Sequence, residues 1–303
     1  MTELTVLQRK LRENFPDFIL KFNEPLSKHT SFRIGGSAEA MFFPAGEEQL
    51  AKMLRFCASE GIRPMILGAG TNVLAPDHGV EGVVVCLKDS LEGMELIGQN
   101  QLRVAAGVTM TRAAVFAANH GLSGLEFAHG IPGSVGGGGY MNAGAYGGEI
   151  CQVCTQVRVM DLEGNVRRYS NEDMKFSYRH SILEDSPAIV LSADFALEER
   201  DPALIRERMK ELQAKRSASQ PLDLPSAGSA FKRPAQGYAA ALIDGAGLKG
   251  YRVGDAAVSE KHAGFVVNLG AATAGDVRAV LRDVSDKVFA ETGIRLEPEV
   301  RIW

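Results

Sequence analysis

The chain has 303 residues, 45% hydrophobic and 23% charged, with a formal net charge of −4. That length and apolar content suffice for one large core or for two or three smaller ones. The charge balance excludes a broad basic field, and with it nucleic acid as a main partner, and no run approaches the ~20 apolar residues that span a bilayer.

In chain order, the amino terminus MTELTVLQRKLRENFPDF is charged and amphipathic. It lacks an apolar stretch with a small-residue cleavage site, so it does not read as a secretory signal. Leu50, Leu54, Cys57 and Ala58 recur at helical spacing between Pro44 and Gly61, which predicts a helix over 47–60. Pro64-Met65-Ile66-Leu67 predicts a short strand, Gly68 to Asn72 a glycine turn, and Val83 to Leu87 a second strand. This order suggests a small α/β unit whose turn lies at a strand's carboxyl end, where such sheets commonly bind ligands. A strand over 102–106 and a helix over 109–120 follow, the helix capped by Thr109 and stopped by Gly121.

Gly121 to Glu149, GLSGLEFAHGIPGSVGGGGYMNAGAYGGE, is too glycine-rich for an ordinary helix or strand. Bare backbone turns through positive φ and brings N–H groups close to a ligand without a Cβ in the way. The fitting ligand is an anion such as a phosphate or pyrophosphate. Apolar anchors at Leu125, Phe127, Ile131 and Val135 mark an ordered loop rather than a flexible linker. Gly68 to Asn72, GAGTN, resembles half of a dinucleotide fingerprint, but Val73 to Pro76 does not open a helix, so a Rossmann assignment fails. Two glycine loops suggest one extended ligand, such as a dinucleotide, held from both sides.

Beyond the run, Val157–Met160 and Val166–Tyr169 flank a turn as a hairpin, and 189–195 adds a strand. A charged helix runs from Asp201 to about Ser217, followed by the Pro/Ser/Gly stretch 220–228, and the domain boundary is placed near 205. Then come a short helix over 238–244, a strand over 264–269, a helix opening at Thr273 and stopped by Gly293, and a final strand over 294–303. The four cysteines make no disulfide framework, which fits a reducing cytoplasm. The lone pair Cys151 and Cys154 has no second pair to complete a zinc site and reads as two thiols at a strand start.

The blocks SKHTSFRIGG (27–36), GAGTNVLAPDHGVEGVVV (68–85), the glycine run, FSYRHSIL (176–183), GSAFKRP (228–234), GLKGYRVGDAAVSEKHAGFVVN (247–268) and LEPEVRIW together resemble the MurB family, the UDP-N-acetylenolpyruvoylglucosamine reductases. They run from about residue 27 to the end in family order, and the length resembles the shorter subclass.

The resemblance implies an α+β fold. A two-subdomain FAD-binding domain of the vanillyl-alcohol oxidase/p-cresol methylhydroxylase type would cover 1–204, with an internal boundary near 85. A smaller α+β substrate-binding domain would cover 205–303, its last strand free to pack back on the flavin domain. FAD would be held non-covalently. NADPH would reduce it and give way to UDP-N-acetylglucosamine enolpyruvate, whose C3 would receive the hydride to give UDP-N-acetylmuramate for peptidoglycan. The implied protein is a cytoplasmic monomer whose partners are NADPH and the UDP-sugar, with no metal, membrane or nucleic acid.

By motif match, Arg179 would face the carboxylate of the growing enolate-like anion, for which its planar fork is suited. Ser229 would donate the proton to C2, and Glu299 would assist through hydrogen bonding. The implied cofactor contacts are Arg33, Gly68, Gly70, Thr71, Asn72, Gly130, Gly133, Ser134, Gly136, Gly137, Asn142 and Gly144. The implied substrate contacts are Tyr140, Lys232 and Tyr238, the last equally explained as a core aromatic. His129 and Gly138-Gly139 depart from the family pattern, and the extra glycines would loosen the flavin loop. The rivals are an FAD oxidase or dehydrogenase on the same flavin fold and a non-catalytic nucleotide-binding module.

Overall fold

The computed structural model describes residues 3–303. Two compact units emerge, neither of them continuous in sequence. The first takes the residues up to Glu24, Glu39–Ala69 and Glu81–Ala214, and the second takes Pro25–Ala38, Gly70–Val80 and Lys215–Trp303. The boundary expected at 204/205 falls inside a helix, and the subdomain boundary expected near 85 falls inside the strand Val80–Cys86.

In the first unit, α1 (Val6–Asn14) opens with a reciprocal cap: Thr5 Oγ1 accepts from the Gln8 N–H at 3.2 Å, and the Gln8 side chain accepts from the Thr5 N–H at 3.1 Å. A four-stranded sheet has the spatial order Ile19–Pro25, Ser37–Phe43, Val80–Cys86, Met65–Leu67, its last pair parallel. Helix α2 (Glu47–Ser59) buries Leu50, Met53, Leu54 and Cys57 in one cluster with Phe42, Val83 and Val85. That is the small α/β unit expected around the first glycine turn.

A second sheet is antiparallel throughout, in the order Val166–Ser170, Cys154–Asp161, Ala188–Ala196, Gln101–Ala105, Met94–Gly98. Leu102, Val104, Val157, Ala193 and Phe195 from this sheet share a core with Ala113 and Ala117 of α3 (Met110–Asn119). Thr109 caps α3 as expected, accepting from the Arg112 N–H at 3.2 Å.

The glycine run is not loop throughout, which corrects the sequence reading. Val135–Tyr140, VGGGGY, forms α4, with Ser134 as its N-cap. Propensity is overridden by packing, because Val135 is fully buried and the helix rests against the sheet and α3. Gly138 and Gly139 therefore lie in a helix rather than loosening a loop.

Helix α5 (Pro202–Ser219) leads from the first unit's last segment into the second's. There an antiparallel sheet runs Ser226–Ser229, Phe265–Asn268, Ala256–Val258, Arg252–Val253. Helices α6 (Ala239–Gly245) and α7 (Ala274–Thr292) share its core, where Val277, Val280, Leu281, Val284 and Val288 meet Val258, Val266, Phe32 and Leu74. Thr273 and Asp276 form the expected capping box, and Gly293 stops α7 at φ 72°.

The final strand expected over 294–303 shrinks to Arg301–Ile302. Pro298 has no N–H to give a ladder, and the segment bonds instead to residues 230–232. Arg301–Ile302 pairs in parallel with Val73–Leu74, a segment that belongs to the second unit.

Candidate active site

Gly130 (φ 83°) and Gly133 (φ 151°) turn the chain into α4. The Gly133 carbonyl accepts from the Met110 N–H at 2.9 Å, and the N–H groups of Val135 and Gly136 donate to Val108 at 2.8 Å and Ala106 at 2.9 Å. Ser134 is buried and accepts from the Gly137 N–H at 3.3 Å. A Cβ on Gly136 would lie 2.8 Å from the Ala106 Cβ, and one on Gly138 would lie 2.9 Å from the Met110 Sδ. Those two glycines are there to let the helix pack. Gly139 is different, for its Cβ would meet no atom within 4 Å, and at Gly137 the nearest neighbour is the Ser134 Oγ at 3.6 Å.

The same serine links the two glycine loops. A Cβ on Gly68, just past the strand Met65–Leu67, would come within 3.0 Å of the Ser134 Oγ. Among the described residues, the N–H groups of Gly68, Ala69, Gly133 and Ser134 make no hydrogen bond to the protein. Bare backbone donors where two glycine-rich loops meet fit the pyrophosphate of a dinucleotide such as FAD.

Arg179 sits on a two-residue turn. Ser177 and His180 exchange both backbone hydrogen bonds, at 3.1 and 3.2 Å, leaving Tyr178 and Arg179 at the tip. Arg179 adopts φ 56°, in the left-handed region that glycine and asparagine favour and arginine seldom enters. Its Nη2 donates to the Gly144 carbonyl at 3.0 Å, and its guanidinium lies 5.0 Å from the Tyr178 ring centre. Gly144 begins the hairpin Gly144-Ala145/Gly148-Glu149, and positive φ at both Tyr146 and Gly147 gives a type I′ turn. Gly144 is required by packing, since a Cβ there would lie 2.6 Å from the Glu149 Cγ.

Asn142, also at positive φ, has its side-chain amide bonded within the protein. Its Nδ2 donates to Glu149 at 2.9 Å and to the Ser177 carbonyl at 3.0 Å, while its Oδ1 accepts from the Cys151 N–H at 2.9 Å. Tyr140 ends α4, and its carbonyl accepts from the Ser181 Oγ at 2.5 Å. The thiols nearby are poor nucleophiles: burial raises Cys151 and pushes Cys154 up to about 12.

In the second unit, Ser229 ends the strand Ser226–Ser229 with its side chain exposed. The next residue joins it to the chain end, where the Glu299 N–H donates to the Ala230 carbonyl at 2.9 Å. Asn72 binds the same segment, its Nδ2 donating to the Glu299 carbonyl at 3.1 Å and its own carbonyl accepting from the Arg301 N–H at 3.0 Å. Ser229, Glu299 and Asn72 are thus brought together by backbone register. Lys232 is held beside them, with its N–H on the Glu297 carbonyl at 2.8 Å and its Nζ 2.5 Å from the Glu297 carboxylate.

Gly70 (φ 65°) is required by the fold, for a Cβ there would fall 1.9 Å from the His29 carbonyl oxygen. Thr71, half-buried, lies between Gly70 and Asn72. Arg33 (φ 56°) is exposed between the buried Phe32 and Ile34. Tyr238 is 61% exposed, caps α6 from outside and has the Arg233 guanidinium 4.1 Å from its ring centre, so it is not a core aromatic.

The turn that carries Arg179 and the amide network of Asn142 were not anticipated. Their only sequence signal was the asparagine itself, a residue that tolerates positive φ.

The fold and the donor cluster define a flavoprotein-type architecture, α+β, with an FAD-binding unit of the vanillyl-alcohol oxidase/p-cresol methylhydroxylase type and a smaller α+β unit. The family described as FAD binding domain matches residues 38–170. The structure of alkyldihydroxyacetonephosphate synthase superposes with a TM-score of 0.50 at 12% identity, over 66% of this chain and 42% of that one, a likeness of fold alone.

The C-terminal domain of UDP-N-acetylenolpyruvoylglucosamine reductase matches residues 220–303. Reductases of that name from Lactococcus lactis and Caldanaerobacter subterraneus are 43% and 44% identical, covering 96% and 98% of both partners. The crystal structure of the Thermus caldophilus reductase has a TM-score of 0.80 at 35% identity, over 94% of this chain and 98% of that one. The chain belongs to the UDP-N-acetylenolpyruvoylglucosamine reductase (MurB) family.

Proposed function

We infer that the chain is an FAD-containing, NADPH-dependent oxidoreductase that reduces the enolpyruvyl group of UDP-N-acetylglucosamine enolpyruvate to UDP-N-acetylmuramate in peptidoglycan synthesis. Membership of the family over nearly its whole length carries this reading. The first unit holds the flavin, with the N–H groups around Gly68, Gly133 and Ser134 on its pyrophosphate, and the second unit handles the UDP-sugar. When bound, the flavin accepts a hydride from NADPH and supplies one to the substrate.

Arg179 stabilises the carboxylate and the charge that grows on it, a task for a fixed guanidinium rather than a mobile one. Its positive φ and its bond to Gly144 support that role, because strain at a single side chain persists where function needs it. Ser229 gives its hydroxyl proton to C2, whose enolate carbon is basic enough to take it. Glu299 assists by hydrogen bonding from a segment pinned at both its N–H and its carbonyl. Lys232 binds the UDP phosphates by exchanging Glu297 for them, an exposed pairing worth only about 0–1 kcal/mol and readily given up. Tyr140 and Tyr238 line the path of the sugar nucleotide.

The enzyme works as a monomer in the cytoplasm, and no helix among the described residues is long and apolar enough to cross a membrane. Incubation of the purified protein with NADPH and UDP-N-acetylglucosamine enolpyruvate tests the assignment. Mass spectrometry should show UDP-N-acetylmuramate, heavier by two hydrogens, in proportion to NADPH consumed. NADPH oxidation that reduces oxygen and leaves the sugar nucleotide untouched would overturn it.

A further inference from the structure

Asn142 is buried to 1% exposure, and both its donors and its acceptor are committed within the first unit. Two separate pieces of chain, residues 149–151 and Ser177, meet on this one amide through three hydrogen bonds. Glu149, from the far strand of the type I′ hairpin, accepts one hydrogen. The Ser177 carbonyl, at the start of the turn that carries Arg179, accepts the other. The Cys151 N–H donates to the amide oxygen from the short helical turn that follows the hairpin.

Glu149 is itself fixed, its side chain also accepting from the Gln152 N–H in a reciprocal cap. Arg179 then closes the loop by donating to Gly144, two residues after Asn142 and paired with Glu149 across the hairpin. The guanidinium therefore rests on the hairpin, while the backbone beneath it hangs from Asn142.

We propose that Asn142 is a positioning residue for Arg179: its amide locks the turn Ser177–His180 to the hairpin Gly144–Glu149 and so fixes where the guanidinium stands. This rests on the reading of Arg179 as the group that faces the substrate carboxylate. The chemistry requires an amide and nothing else of this size. Aspartate would keep the acceptor for Cys151 but would set a second oxygen against the Glu149 carboxylate and the Ser177 carbonyl. A carboxamide alone supplies two donors on one nitrogen and an acceptor beside it.

Asn142→Gly is the clean test, because Asn142 sits at φ 48° and glycine accepts that backbone without strain while deleting the amide. Asn142→Asp is the second variant, preserving volume. Each holoenzyme is reduced anaerobically with NADPH and mixed with the enolpyruvyl substrate, alongside Arg179→Ala and the double variant Asn142→Gly/Arg179→Ala. Flavin content and hydrogen exchange over 175–181 are measured in parallel.

The expected pattern has four parts. Flavin content and the NADPH step stay within about twofold of the parent. The enolpyruvyl step slows about 10- to 100-fold in both Asn142 variants. The double variant is no slower than Arg179→Ala, since the amide acts only through the guanidinium. Exchange over 175–181 quickens.

Loss of flavin or equal slowing of both steps would overturn the proposal, marking Asn142 as a cofactor contact or a general support of the fold. Losses that multiply in the double variant, or an unchanged enolpyruvyl step, would also overturn it. If instead Arg179→Ala itself reacts like the parent, the underlying assignment of Arg179 has failed.

Discussion

Single residues in this chain do work that their type alone would not suggest. Arg179 occupies a backbone region suited to glycine, Asn142 spends a whole amide on architecture, and two cysteines are sealed in cores. The cysteines carry a consequence for pH. Cys57 and Cys154 are 0% and 3% exposed, and burial pushes each thiol from an ordinary 9.0 up to about 12. Between those values the unfolded chain releases protons that the folded chain keeps, so the folded state binds more of them. Stability is accordingly full below pH 9 and falls as pH rises toward 12, by about 1.4 kcal/mol per pH unit for each thiol at most. Urea unfolding measured from pH 8 to 11 should show this decline, and Cys57→Ala should flatten its share of it. A midpoint that does not move over that range would refute the account of the two thiols.

At the scale of elements, α4 separates glycines needed for packing from glycines facing open space. Gly136→Ala would press a methyl to 2.8 Å from the Ala106 Cβ, where the backbone of both segments is fixed by hydrogen bonds. Such overpacking costs about 1–3 kcal/mol. Gly139→Ala meets nothing within 4 Å and gains helix propensity, a stabilisation of the flavin-free protein by about 0.5–1 kcal/mol. Thermal melting of the two flavin-free variants should therefore shift in opposite directions. A fall for both would show that α4 is held by something other than this contact.

Elements with strong periodicity or caps were readable from the sequence: α2, α3 and α7, the hairpin around Asp161–Asn165, and the strand Ala188–Ala196 all fall where expected. Propensity failed at α4, because the whole segment packs against the sheet and α3, and tertiary packing overrides the poor helix propensity of glycine. It failed again at 294–300, where Pro298 denies the ladder a donor. Strands Ile19–Pro25 and Ser37–Phe43 went unnoticed, since neither alternates cleanly between apolar and polar residues. The family resemblance supplied Ser229 and Glu299 as catalytic residues and Asn72 as a cofactor contact, and backbone hydrogen bonds tie the Glu299 segment to Ala230 and to Asn72. Gly70, Gly136 and Gly144 were equally conspicuous, and at each of them a Cβ would collide with neighbouring atoms of the fold.

For the molecule as a whole, linear boundaries misdescribe the organisation, because Pro25–Ala38 and Gly70–Val80 leave the flavin-type unit and join the carboxyl-terminal one. A sequence read from end to end cannot register such crossings; only long-range pairing, such as Arg301–Ile302 on Val73–Leu74, reveals them.

The central claim is that the chain carries electrons from NADPH to an enolpyruvyl ether, with Ser229 supplying the proton. Rapid anaerobic mixing of the NADPH-bleached parent and of Ser229→Ala with UDP-N-acetylglucosamine enolpyruvate measures this most directly. The blue flavin absorbance should bleach equally in both, return promptly in the parent, and return about 10²- to 10⁴-fold more slowly in the variant. A parent that stays bleached, or a variant that recovers at the parental rate, would contradict it.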